Sequence, residues 1–123
     1  MHTAATEKFQ SYLRQVGFNG IPGLPEFLAY SSFDALIKGL KAAGSNPTHE
    51  SLINAMLNMT NYDGAGLYGG HTVSFAMATR GTGGAGADGC EWFTLFKGNT
   101  FHVVSGADPV CGGVIPGKTV SSS

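Results

Sequence analysis

The spacing of apolar residues changes once along this chain, and that change limits what it can fold into. Up to about Leu57 the apolar side chains recur at helical spacing. From Gly66 the period falls to two, and most of the 19 glycines lie from Gly64 onward. The expectation is helices first, then turns and short strands. With 123 residues the chain can enclose one core but not two. It is read as one domain over 1–123, helical over 1–60 and a glycine-rich strand and hairpin part over 61–123.

Three helices follow from the pattern. Ala5, Phe9, Tyr12, Leu13 and Val16 line one face of a helix from about Ala4 to Val16, with Thr3 as its cap and Gly17 as its stop. After the loop Phe18–Pro25, a second helix runs from about Phe27 to Ala43. Ala29, Phe33, Leu36, Ile37, Leu40 and Ala43 form its apolar stripe, and Ser31, Asp34, Lys38 and Lys41 its polar one. Asp34 and Lys38 are spaced to pair, and Gly39 in mid-helix predicts a closely packed neighbour. Asn46 or Thr48 caps a third helix with Leu52, Ile53, Met56 and Leu57 on its buried side, ended by Asn61, Asp63 and Gly64. Strands are expected over 72–76, 91–96 and 100–104, the last two joined by the turn Lys97-Gly98-Asn99. The tail Ser121-Ser122-Ser123 is expected to fray.

Charge and motif spacing exclude several chemistries. The net charge is −1 and the seven basic residues are scattered, so there is no cationic face for nucleic acid. No apolar run reaches the roughly 18–20 residues of a bilayer span, and the N-terminus lacks the pattern of a secretory signal. Gly81-Thr82-Gly83-Gly84-Ala85-Gly86 fits GxGxxG, but it leads into a strand where a dinucleotide site needs a helix, so it is read as a hairpin loop. His2, His49, His71 and His102 have no ligand spacing, and no metal or other cofactor is expected. Asp63, Asp88 and Asp108 sit beside glycine or proline as turn formers, and no serine or cysteine nucleophile stands in a catalytic setting. Asn58-Met59-Thr60 is a formal glycosylation triplet of near-chance frequency. Cys90 and Cys111 fit either one disulfide or two buried thiols.

The order of segments over 25–76 carries a resemblance. Pro25 to Leu36, the junction Leu40-Lys41-Ala42-Ala43-Gly44-Ser45-Asn46-Pro47-Thr48, the helix Leu52–Met56, and the stretch from Tyr62-Asp63-Gly64-Ala65-Gly66-Leu67 to Val73-Ser74-Phe75 resemble successive parts of type I periplasmic solute-binding proteins of the leucine/isoleucine/valine kind. The match is to the C-terminal portion of that family, and it is looser after Ala76. The resemblance implies an α/β fold, a partial Rossmann-like lobe of a bilobed protein with about three helices and a small, mainly antiparallel sheet. It implies a non-catalytic module that binds a small amino-acid-like solute, with a missing N-terminal lobe and the membrane permease of an ABC importer as partners.

By position in that family, Pro25, Glu26, Phe27 and Tyr30 would supply one wall of the ligand cleft. Family members are exported, so the resemblance also implies a periplasmic or extracellular setting and a Cys90–Cys111 disulfide. The rival expectation is an orphan structural fragment that forms a homodimer through exposed edges and binds no ligand. An enzyme using the glycine-rich loop on a nucleotide is a more distant third.

Overall fold

The computed structural model describes residues 3–76, 89–104, 108–113 and 116–117. They form a small mixed α/β domain of three helices and two two-stranded antiparallel sheets. The GxGxxG string, Asp88 and the serine tail lie outside the described residues.

Each helix starts and stops where its backbone groups find partners. Thr3 caps α1 (Ala4–Gln15): its hydroxyl accepts from the Thr6 N–H at 3.2 Å, while its own N–H donates to Thr6 Oγ1 at 2.9 Å. Gly17, at φ +85°, closes the helix, and the N–H groups of Gly17 and Phe18 donate to the carbonyls of Arg14 and Leu13. α2 (Leu24–Ala43) begins three residues before the expected Phe27. The Glu26 carboxylate accepts the Gly23 N–H at 2.8 Å, and Pro25 has no N–H to leave unpaired in the first turn. For α3 (His49–Leu57) the cap is Thr48, not Asn46: its hydroxyl accepts from Ser51 N–H at 3.1 Å.

Phe9 of α1, Leu52 and Met56 of α3 and the close neighbour at Gly39 are where the sequence pattern expects them, but the rest of the packed face of α2 is not its apolar stripe. On α2 the buried residues are Ser31, Ala35 and Gly39. These small residues let α3 approach, with Leu52 and Met56 against Gly39. The expected apolar stripe is on the outside: Phe33 is 66% exposed, Ile37 48%, and Leu36 and Leu40 each 37%. At about 100° per residue its centre lies roughly 140° around the helix from the packed face. The reading of α2 is therefore corrected: the helix buries a face of small residues, Ser31, Ala35 and Gly39, and leaves the more apolar stripe outside. Ile53 of α3, expected inside, is also exposed, with Leu52, Met56 and Leu57 half-buried.

Aromatic rings join the elements. Phe9 of α1, itself buried, lies 4.8 Å from the Tyr30 ring of α2. Tyr68 contacts Phe27, Tyr62 and Trp92, and Tyr62 contacts Phe75.

Between Asp63 and Leu67 the backbone makes a left-handed turn, with φ of +62°, +59° and +80° at Gly64, Ala65 and Gly66. The N–H groups of Gly66 and Leu67 donate back to Asp63 and Gly64. A Cβ on Gly64 would run into the Tyr68 ring, so both conformation and space require glycine there.

The expected strand over 72–76 shrinks to a single bridge, Tyr62 with Val73, whose N–H groups donate to each other's carbonyls at 2.9 and 2.8 Å. The Phe75 N–H still donates across to the Met59 carbonyl at 2.8 Å, and at the end of the segment Ser74 Oγ accepts the Ala76 N–H at 3.2 Å. The expected strand over 91–96 divides. β1 (Cys90–Glu91) pairs with β4 (Val110–Cys111), while β2 (Thr94–Lys97) pairs with β3 (Thr100–Val103). Trp92 lies between them, its ring against Tyr68 and His71. The β2–β3 hairpin turns through Gly98 and Asn99 at φ +59° and +69°, the handedness of a type I′ turn. Cys90 and Cys111 face each other across β1–β4 and are joined by a disulfide. Among the described residues no helix is long and apolar enough to cross a membrane.

Candidate functional site

The residues expected to form a ligand wall sit at the start of α2. Pro25 is exposed, and Glu26 is engaged with the Gly23 N–H. Phe27, half-buried, faces the Tyr68 ring at 6.3 Å. Tyr30 lies one turn on, between Phe9 and Tyr12. Phe27 and Tyr30 thus touch different aromatic neighbours among the described residues.

A more concentrated group lies further along α2. Lys38 Nζ donates to Asp63 Oδ1 at 2.7 Å and stands 2.9 Å from Asp34 Oδ2. The second contact is an ion pair out of line for a directed hydrogen bond. The same ammonium lies 5.0 Å from the centre of the Tyr62 ring, within cation–π range. Tyr62 is buried, and its hydroxyl donates to the Ser31 carbonyl. One lysine and one tyrosine thereby tie α2 to the segment that follows α3.

The titration behaviour follows from these contacts. The hydrogen bond from Lys38 holds the Asp63 carboxyl below its usual range, against a smaller opposing effect of burial. For Lys38, partial burial works to lower its pKa, but the hydrogen bond to Asp63 and the nearby carboxylates of Asp34 and Asp63 prevail and raise it. Burial first, then the Asp34 charge, pushes the Tyr62 phenol well above its ordinary value. A nucleophilic lysine needs a depressed pKa, and this one moves the other way. The cluster is a clamp of fixed charges.

A concavity of about 580 Å³ opens beside the clamp, with Lys38, Ala42, Ala55, Asn58, Met59 and Asp63 among its lining. A second, of about 250 Å³, lies where the end of α1 meets the Phe18–Pro22 loop, with Leu13 and Arg14 in its wall. Neither includes Pro25, Glu26, Phe27 or Tyr30. Among the described residues no three His, Cys, Asp or Glu side chains gather as a metal ion requires.

Of the clamp, the sequence makes only Asp34–Lys38 legible. Asp63 reads there as a turn former and Ser31 as a solvent-facing residue. No local spacing signals a partner 25 positions away, so Lys38–Asp63 had no sequence signature. No family model, curated protein or solved structure matches the chain.

Proposed function

We propose that this chain is the C-terminal part of a type I solute-binding protein, a non-catalytic module that helps hold a small amino-acid-like solute for an ABC importer. The observation that carries the reading is the outer face of α2. A run of large exposed apolar side chains calls for a covering layer, and α2 buries Ser31, Ala35 and Gly39 while Phe33, Leu36, Ile37 and Leu40 stay outside. In a Rossmann-like lobe such a helix lies against the sheet, and the remainder of that lobe would cover Phe33, Leu36, Ile37 and Leu40.

Two further observations support it. The segments that resemble the family fall, in order, on α2, the Gly44–Thr48 junction, α3 and the Tyr62–Val73 turn. The Cys90–Cys111 disulfide suits an exported protein.

In this reading the start of α2, from Pro25 to Tyr30, forms one wall of the cleft. The opposite lobe supplies the rest, and closure brings the two together. Calorimetric titration of the purified chain with a panel of amino acids tests this. One wall gives heats that stay far from saturation at millimolar ligand. Saturable one-site binding in the micromolar range would mean a complete site within these 123 residues and would overturn the one-wall reading.

A further inference from the structure

We propose that the concavity beside the Lys38–Asp63 clamp binds a neutral ring polyol, the chemistry of a monosaccharide or a cyclitol, at a place separate from the start of α2. The inference rests on the lining of that concavity and not on the solute-binding reading.

The space lies where the second half of α2, the end of α3 and the segment after α3 meet. Its volume of about 580 Å³ is that of a small-molecule site, for which roughly 300–1,000 Å³ is usual. The lining has an apolar part, Ala42, Ala55 and Met59, and a polar part made of the clamp and the side-chain amides of Asn58 and Asn61.

Charge disfavours ionic ligands. Lys38 and Asp63 are the ionised side chains of the lining, and they are 2.7 Å apart. Lys38 also stands 2.9 Å from Asp34, so two carboxylates already share its charge and little of it is left for an anion. A cation approaching Asp63 would meet the same ammonium. A neutral ligand leaves the clamp intact.

Hydrogen-bonding capacity then selects hydroxyl groups. A side-chain amide sets an acceptor oxygen beside a donor nitrogen. Asn58 and Asn61 each supply such a pair, and neither side chain is tied to another described residue. An ammonium has three N–H groups and a carboxylate about four acceptor sites, so the clamp keeps capacity of both kinds side by side. The lining thus offers three donor–acceptor pairs. Each hydroxyl is both donor and acceptor, and neighbouring hydroxyls on a ring present such pairs in series. A ligand with a single amide would match one pair and leave the others to water. The C–H face of the ring would lie on Met59 and the two alanines.

Titration of the ¹⁵N-labelled full chain with glucose, ribose and myo-inositol, followed by NMR, tests the site. At least one of the three should give saturable shifts centred on Lys38, Asn58, Asn61 and Asp63, with a dissociation constant on the order of 1 mM. Acetate, methylammonium and acetamide at the same concentrations should leave those amides in place. Asn58→Ala and Asn61→Ala should each weaken binding about fivefold with unchanged circular dichroism, because both side chains are exposed. No saturation with any of the three polyols, or shifts centred on Glu26, Phe27 and Tyr30 instead, overturns the proposal. So does a response to acetate, methylammonium or acetamide equal to that of the polyols, or binding indifferent to both variants.

Discussion

Gly39 of α2 and Met56 of α3 stand so close that no side chain fits at position 39 without displacement. A Cβ there would lie 2.9 Å from Met56 Cγ and 3.1 Å from Leu52 Cδ1. The glycine weakens the helix by about 1 kcal/mol relative to alanine, and the close approach of α3 is what that position provides. Gly39→Val should lower stability to urea by about 2 kcal/mol through overpacking. Adding Met56→Ala should recover part of that loss, because the two sites share one space. Equal losses with and without Met56→Ala would mean that the two residues do not meet.

How far the sequence reveals this fold depends on whether the deciding contact is local. Thr3, Gly17, Thr48 and the Gly98-Asn99 turn act within a few residues, and the caps and hairpin form where the pattern places them. The α2 start differs because the Glu26 side chain bonds nearby backbone and shifts the boundary, and the 72–76 segment pairs only through Val73 with Tyr62 and Phe75 with Met59. The face that α2 packs could not be read from hydrophobicity. Ser31, Ala35 and Gly39 are selected by size, since only small residues admit α3 and Tyr62, while the more apolar stripe marks what lies outside. The Lys38–Asp63 clamp joins distant positions and was likewise illegible.

Tyr62→Phe should cost about 1 kcal/mol. The change keeps the ring packed against Tyr68 and Phe75 and removes only the hydroxyl that donates to the Ser31 carbonyl. Denaturant midpoints of the two proteins check this. A larger loss, of the size expected for a missing ring, would place the importance of Tyr62 elsewhere than in that bond.

The clamp gives stability a defined dependence on pH. Asp63 has a lowered pKa in the folded chain, so its contribution is present above the unfolded carboxylate value near 4 and is lost as pH falls through the folded value. Lys38 has a raised pKa, so its contribution is present below about 10.4 and is lost as pH rises through the folded value. Both side chains are more than a third exposed, so solvent screening limits the pair to under about 1 kcal/mol. Asp63→Asn should therefore be less stable than the parent at pH 7, and the two should converge at acid pH. A difference that persists at pH 2 would contradict the ion-pair account.

The Cys90–Cys111 bridge closes a loop that contains the whole β2–β3 hairpin. Removing it should cost that part of the chain about 3 kcal/mol of loop-closure entropy. Trp92, the only tryptophan, lies two residues from Cys90 against Tyr68 and His71, so its fluorescence reports the change. Dithiothreitol should shift Trp92 emission and release two thiols, with little change in helical circular dichroism. Unchanged emission after both thiols are free would mean that the bridge does not hold Trp92 in place.

The most direct test of the functional account is a map of where ligand touches the chain. The ¹⁵N-labelled protein would be titrated with leucine, other amino acids and small carboxylates into the millimolar range, following each backbone amide by NMR. The account predicts weak, fast-exchange shifts confined to the start of α2, at Glu26, Phe27 and Tyr30. Shifts centred on Lys38, Asn58 and Asp63, or no shifts anywhere, would contradict the placement of the solute-facing wall at that helix start.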